Sequence, residues 1–145
     1  MYYRRLYNNT HYKKKIITIT VLFVLGVAVS YLQWGREIDV AGSMGTSSEN
    51  FHEEHVTFTL NRLIITDKEK CAEEIIKKCR ENDFASTLFS YDVAKPNALY
   101  GTVYRSRFSM KGQKPLFHFR YTQTADTLGS YNIVDDPEAF TLVIE

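Results

Sequence analysis

Four basic side chains in two strand-like segments are the residues of this sequence best suited to bind an anion: Arg105, Arg107, His118 and Arg120. Their segments flank KGQK, a turn-forming stretch, so we expect a hairpin with Arg107 opposite His118. The same register sets Arg105 opposite Arg120. Because like charges directly opposite each other destabilise a sheet, this basic patch predicts an anionic partner. The alternatives are that an acid on an adjacent strand, such as Asp92, neutralises the patch, or that the arginines extend separately into solvent.

The other face of this hairpin is expected to carry aromatic side chains and to pack on a helix. In this register the residue numbers of two opposing residues sum to 225. Phe108 then lies opposite Phe117, Tyr104 opposite Tyr121, and Ser106 opposite Phe119. A slip of one residue would exchange the two faces.

The sequence HEEH, residues 52–55, resembles a metal motif but lacks the H-E-x-x-H spacing. On a strand, His52 and Glu54 point to one side while Glu53 and His55 point to the other. Two pairs on opposite faces make a poor single site, so we expect no metal here.

Two cysteines, Cys71 and Cys79, fall in a segment with helical periodicity. Eight residues of helix separate them by about 12 Å along the axis, whereas a disulfide needs Cα atoms within about 7 Å. We therefore interpret both as small buried apolar side chains. Intermolecular pairing and a redox role are the alternatives.

Signals for catalysis are sparse. There is no G-x-S-x-G motif, no glycine-rich phosphate loop and no C-x-x-C pair. We expect a non-catalytic protein without a cofactor or a metal. A small enzyme that uses His118 or Asp92 is the less favoured alternative.

The elements that must position these residues follow from periodicity. Within HVTFTLNRLII, residues 55–65, apolar and polar side chains alternate over residues 56–61 as in a half-buried strand, and residues 67–82 form an amphipathic helix. That helix buries Cys71, Ala72, Ile75, Ile76 and Cys79, and Thr66 with Glu69 forms its capping box. Further strands are expected over residues 86–93, 99–110, 116–123 and 139–145. Residues 124–138 form a long loop or contain a short strand near Tyr131–Val134.

The expected fold class is α+β, with the element order β-α-β-β-β-β and one helix on one face of an antiparallel sheet. A sheet that curls around a single helix, as in cystatin-like folds, has the same order of elements. The analogy is one of topology and rests on no sequence motif.

Residues 16–34 contain no charge and predict a membrane-spanning helix of about 28 Å. Five basic side chains and no acid precede them in residues 1–15, which predicts a cytoplasmic N-terminus. Beyond residue 15, 13 basic and 17 acidic side chains give a charge of −4, which argues against binding to nucleic acid. Cleavage of a signal peptide after Ser30 is the alternative, because Ala28 and Ser30 form a small-x-small site.

The predicted organisation has four parts. Residues 1–15 are a basic cytoplasmic tip, 16–34 the transmembrane helix, 35–50 a flexible Gly- and Ser-rich linker, and 51–145 an extracytoplasmic α+β domain. We interpret the chain as a single-pass membrane protein that presents a small interaction domain to a protein or an anionic envelope partner. A secreted ligand-binding or inhibitory module is the alternative function. The oligomeric state is left open.

Overall fold

The chain divides into two compact units, Met1–Arg36 and Glu37–Glu145, each described here by itself. The computed structural model describes the backbone of residues 2–145 and the side chains of residues 12–145. The side chains of Arg4 and Arg5, part of the predicted basic tip, therefore lie outside the described residues.

The first unit is a single helix, α1, over Tyr2–Trp34. Its part Tyr12–Trp34 is long and apolar enough to cross a membrane by length and composition, and none of its apolar window is buried. The predicted apolar helix over residues 16–34 is therefore present. It ends where the amide of Gly35 donates a hydrogen bond to the Tyr31 carbonyl at 2.8 Å.

The second unit begins with a β-hairpin. Strand β1, Asp39–Ser48, pairs antiparallel with strand β2, Phe51–Thr59, across a two-residue turn. The predicted flexible linker over residues 35–50 is thus mostly a strand. The linker prediction was wrong because β1 lacks apolar alternation: within the strand only Val40 is buried, and Ile38 is buried just before it.

Helix α2, Lys68–Glu81, confirms the predicted helix and all five residues of its buried stripe. The helix begins one residue later than the capping box predicts. The side chain of Asp67 accepts a hydrogen bond from the Lys70 amide at 3.1 Å, which satisfies a donor that the first turn leaves free. At the other end Asn82 adopts a left-handed conformation with φ of 54° and ends the helix.

The predicted strand over residues 86–93 is absent, and the segment is irregular, with a turn at residues 91–93. The side-chain amide of Asn82 takes the place of a neighbouring strand. It accepts from the Phe89 amide at 2.8 Å and donates to the Phe89 carbonyl at 2.8 Å. Because these backbone groups are satisfied by one side chain, Phe89 is buried without any sheet pairing.

The remaining strands complete one five-stranded sheet in the order β1-β2-β3-β4-β5. They are β3, Ala98–Tyr104; β4, Phe117–Thr122; and β5, Thr141–Ile144. The sheet is mixed, because β2 and β3 run parallel while the other pairs are antiparallel. The purely antiparallel expectation is wrong here, since the connection through α2 returns the chain to the end of the sheet where β2 began.

The structure therefore confirms an α+β fold with one helix, α2, joined to a single sheet. The observed order in the second unit is β-β-α-β-β-β instead of β-α-β-β-β-β. The core lies on one face of the sheet and joins the α2 stripe to strand residues such as Phe58, Leu99, Val103 and Phe119. Residues 131–134 form a loop without an additional strand, and Ile133 from that loop is fully buried.

Candidate functional site

The predicted hairpin register of the basic patch is wrong. In the structure Thr102 lies opposite His118, and Tyr100 lies opposite Arg120. Strand β3 ends at Tyr104, and a short 3-10 helix over Ser109–Lys111 lies in the following loop. Both Arg105 and Arg107 consequently lie beyond the paired part of β3.

The prediction of an aromatic core-facing side is correct for β4 and wrong for β3. The β4 side chains Phe117, Phe119 and Tyr121 are buried as predicted. From β3, however, Leu99, Gly101 and Val103 face them. The observed pairs sum to 220, an odd shift from 225 that exchanges the faces of β3. Phe108, predicted to be buried, is exposed.

His118 and Arg120 lie on the face of β4 opposite the core. The Nδ1 atom of His118 lies 3.1 Å from the Thr102 hydroxyl. The Nε atom of Arg120 lies 3.6 Å from a carboxylate oxygen of Glu145. His118 lines neither of the two clefts described below.

The other two arginines have different neighbours. The guanidinium of Arg107 pairs with Asp39 at 3.2 Å, and Arg105 donates a hydrogen bond to the Leu63 carbonyl. The structure brings His118 and Arg120 onto one face and does not bring the four basic residues together. Two of the arginines pair with acids, as the alternative in the sequence analysis proposed: Arg107 with Asp39, and Arg120 with Glu145. Asp92, the acid suggested there, is not one of these partners.

The HEEH segment has the predicted geometry. His52 and Glu54 pair at 3.1 Å, and Glu53 and His55 pair at 3.3 Å. The Glu53–His55 pair is more exposed, and the His55 ring stacks on Tyr100 at 4.6 Å between ring centroids. Among residues 12–145 no three His, Cys, Asp or Glu side chains form a group suited to a metal ion.

The His52–Glu54 pair lies in a cleft of about 280 Å³ between the β1–β2 hairpin and the segment of residues 87–94. Hydroxyl groups from both sides line this cleft: Ser43, Ser47, Thr87 and Ser90. Two strongly exposed apolar side chains, Leu88 at 74% and Val93 at 82%, lie among its lining. Glu54 is the one carboxylate in the lining, and no Lys or Arg is present there.

Three polar side chains form a row along one wall of the cleft. The Ser47 hydroxyl lies 2.6 Å from His52 Nδ1, and His52 Nε2 lies 3.1 Å from Glu54 Oε1. Strand pairing causes this arrangement, because Ser47 is opposite His52 and Gly45 is opposite Glu54. The His52 and Glu54 side chains are only 16% and 15% exposed.

The second oxygen of Glu54 is the least satisfied atom of the row. Oε2 is buried, and it has no hydrogen-bond partner among the described residues. A carboxylate accepts hydrogen bonds only, and leaving a buried acceptor unpaired costs about 1–3 kcal/mol. Because this oxygen is closed to solvent, a ligand reaches it only when the Glu54 side chain rotates, and a cationic donor then gains the most affinity.

The charge of Glu54 also acts on the floor of the cleft. The Tyr91 hydroxyl donates to the Cys79 carbonyl at 2.7 Å. Burial, chiefly, raises the pKa of Tyr91 and the pKa of Cys79, and the negative charge of Glu54 raises both further. Both side chains therefore stay neutral at neutral pH.

Strand β1 forms the outer edge of the sheet beside this cleft. Within the described part of the chain it has a strand neighbour on one side only, β2. The Val40 carbonyl accepts hydrogen bonds from Ser86 at 3.2 Å and from Arg107 at 3.3 Å, which covers the beginning of the edge. Residues 42–47 carry no charge and no proline, the features by which edge strands usually avoid pairing.

Sequence reasoning missed Ser43, Gly45 and Ser47, because they lay in the predicted linker. The turn residues Glu49 and Asn50 between two extended segments were the available signal for a hairpin. A second, wider cleft lies at that turn, with Phe51 and Leu128 in its lining, and it contains no paired titratable groups.

Comparison of the chain with protein-family models, with curated proteins and with solved structures finds no match.

Proposed function

We propose that this protein is a single-pass membrane protein that presents a small non-catalytic binding domain outside the cytoplasm. Residues 16–34 anchor it in the lipid bilayer, and residues 37–145 recognise a protein or another envelope partner. The observation that carries the proposal is an apolar helix of membrane-spanning length, unburied along its apolar window, followed in the sequence by a separately compact α+β unit.

Charge and aromatic residues support the anchor and its orientation. Lys13, Lys14 and Lys15 directly precede the apolar stretch, and basic residues are retained on the cytoplasmic side. Tyr31 and Trp34 end the stretch, as in the aromatic belts at membrane interfaces. The apolar run continues past Ser30, which favours an uncleaved anchor over a signal peptide.

A pair of C-terminal fusions tests the orientation. Alkaline phosphatase, which is active only outside the cytoplasm, is expected to be active, and β-galactosidase is expected to be inactive. Replacing Lys13, Lys14 and Lys15 by Gln is expected to reduce the phosphatase signal. An inactive phosphatase fusion at normal expression contradicts the orientation.

N-terminal sequencing of the mature protein, from the membrane fraction and from the released fraction, tests the anchor separately. An intact N-terminus is expected. If Tyr31 is the first residue, the secreted ligand-binding or inhibitory module replaces the anchored protein.

One observation favours a second candidate function, acyl transfer. The 2.6 Å contact between the Ser47 hydroxyl and His52 gives a nucleophile, a base and a carboxylate in a row with Glu54. A fluorophosphonate probe tests it: Ser47 Oγ attacks phosphorus, fluoride leaves, and the hydroxyl proton goes to His52. Labelling that is lost in Ser47→Ala but kept in Ser43→Ala identifies an enzyme, and no labelling rules this candidate out.

A further inference from the structure

We propose that an extended segment of a partner protein adds to the sheet along β1 and sets a Lys or Arg side chain opposite Gly45, against Glu54. The inference rests on the proposed binding function and names its partner class: a β-strand that carries a basic residue. It follows from the free edge of β1, the missing side chain at Gly45 and the charge of the cleft.

The edge of β1 supplies the main-chain contacts. Residues 42–47 lie beyond the stretch that Ser86 and Arg107 cover, and an unpaired edge strand offers alternate amides and carbonyls to an added strand. Such an edge gives affinity through main-chain hydrogen bonds, while pockets for alternate side chains give specificity.

Gly45 determines which side chain of the added strand contacts Glu54. Residues opposite each other in neighbouring strands project to the same face, so the partner residue opposite Gly45 points to the face of Glu54. The Oε1 atom of Glu54 lies 2.9 Å from the position that a Cβ atom of residue 45 would occupy. The carboxylate thus lies over β1, and a basic side chain from the added strand has about one strand spacing, 4.8 Å, to cross.

Charge complementarity selects a basic residue at that position. Glu54 is the one carboxylate in the cleft, its Oε1 atom lies over β1, and no Lys or Arg side chain lines the cleft. An ammonium or guanidinium group beside Oε1 supplies a hydrogen-bond donor with a charge of the right sign. The exposed Leu88 and Val93 in the same lining offer contacts to apolar residues two positions away on the added strand.

Peptide binding to the full chain in lipid nanodiscs tests the inference. The probe is a fluorescein-labelled heptapeptide, Thr-Val-Thr-Lys-Thr-Val-Thr, read by fluorescence anisotropy. Replacing its Lys by norleucine keeps the apolar stem and removes the charge. We expect the Kd to rise about tenfold with norleucine, and equal Kd values for the two peptides overturn the inference.

Matched variants of the chain assign the effect to the cleft. In Glu54→Gln the preference for Lys over norleucine is expected to disappear. In Glu53→Gln, which alters the corresponding His–Glu pair on the opposite face, the preference is expected to remain. Retention of the preference in Glu54→Gln, or its loss in Glu53→Gln, contradicts the assignment.

Backbone methylation of the peptide tests strand addition without altering the protein. Across the two-residue turn Ser48 and Phe51 form a hydrogen-bonded pair, so by alternation the amide and carbonyl of Gly45 point to the free edge. In an antiparallel added strand the Lys opposite Gly45 donates its own amide to that edge. Methylating the Lys amide removes this main-chain donor and is expected to raise the Kd about tenfold or more. An unchanged Kd overturns docking on β1. Free n-butylamine is expected to compete only weakly, and competition as strong as that of the peptide shows a small-amine site instead.

The two proposals fail in different ways. An inactive phosphatase fusion removes the extracytoplasmic location and leaves peptide binding in nanodiscs unaffected. Absent peptide binding, with an active phosphatase fusion, removes this inference and leaves the anchored domain.

Discussion

Gly45 and Glu54 face each other across β1 and β2, and the Glu54 carboxylate occupies space that a side chain at residue 45 would need. A Cβ atom there would lie 2.9 Å from Glu54 Oε1 and 3.0 Å from His52 Cε1. Glycine inside a strand often marks a point where another group approaches closely, and here that group is the His52–Glu54 pair. The glycine therefore shapes the cleft and leaves the strand pairing intact.

Gly45→Ala is expected to change binding without a large loss of stability. The atoms in conflict are the far ends of two side chains, which can rotate away at about 0.5–1.5 kcal/mol. Alanine in a strand regains about 0.5–1 kcal/mol of the backbone entropy that glycine costs. The free energy of unfolding, measured with urea in detergent micelles, is expected to change by less than about 1 kcal/mol.

The same variant is expected to lose the preference for the Lys peptide, because the Glu54 carboxylate is displaced. Gly42→Ala is the matched control, since a Cβ atom at residue 42 meets nothing within 4 Å. If Gly45→Ala binds the two peptides as the unaltered chain does, the placement of Glu54 is wrong.

Gly101→Ala is expected to destabilise the domain by about 2 kcal/mol or more through overpacking. A Cβ atom at residue 101 would lie 2.0 Å from Cε1 of Phe119, directly opposite on β4. The Phe119 ring is 2% exposed and stacks on Phe58 at 6.1 Å between centroids, so it has little room to move. Urea unfolding of the full chain in micelles measures the loss.

A second substitution separates the clash from other effects of Gly101→Ala. Adding Phe119→Leu to Gly101→Ala is expected to recover part of the stability, because the shorter side chain leaves room for the methyl group. A Gly101→Ala chain as stable as Gly42→Ala would show that the β3–β4 register is incorrect.

The two cysteines are expected to react slowly in the folded chain. Cys79 is 1% exposed and Cys71 is 7% exposed, and burial raises the pKa of both thiols. Because the thiolate is the reactive form, disulfide exchange with Ellman's reagent should be about a hundredfold slower than in urea. Ser130→Cys supplies an exposed thiol as reference, and equally rapid reaction of all three thiols contradicts the burial of α2.

Asp135 and Lys95 join two loops by a charged contact. The ammonium of Lys95 donates to both Asp135 oxygens, at 2.8 and 2.7 Å, and the side-chain amide of Asn132 donates to Asp135 at 3.0 Å. These hydrogen bonds, that of Lys95 foremost, lower the pKa of Asp135 below its ordinary 3.8. The contribution of Asp135 to stability is therefore complete above pH 3.8 and is lost as the pH falls through the lower folded pKa.

Lys95→Met is expected to raise the pKa of Asp135 towards its ordinary value, since it removes the ammonium and keeps the apolar stem. A carboxyl ¹³C NMR titration measures the pKa directly. Lys114→Met, at an exposed position, is the control and is expected to leave Asp135 unchanged. Identical titration of Asp135 in both variants would refute the pairing.

Local patterns predicted the elements whose signal lies within one segment. The periodicity of residues 67–82 identified α2 and its stripe from Cys71 to Cys79, because helical spacing alone decides which side chains share a face. Alternation identified β2 and the core face of β4 for the same reason. The opposite projection of His52 and Glu53 followed from strand geometry in the same way.

Patterns that depend on a partner segment were not predictable. Strand β1 forms because β2 offers an edge, and its own residues 42–48 carry little β signal. The alternating residues 86–93 indicated a strand, but the Asn82 side chain takes the hydrogen bonds of Phe89. The prediction of the basic patch was wrong because its strand register assumed a hairpin turn at residues 111–114. The chain instead forms a 3-10 helix over Ser109–Lys111 in a longer loop.

The sequence by itself determined an apolar N-terminal helix, an α+β domain and the alternation of side chains along β2 and β4, since these depend on neighbours in the chain. Tertiary structure alone decided that the sheet is mixed and that β1 has a free edge. It also decided that Ser47, His52 and Glu54 lie in contact in a row beside Gly45. Strand pairing depends on contacts between distant segments, and many registers satisfy the same local pattern. The cleft therefore exists only when the β1–β2 hairpin and the segment of residues 87–94 come together.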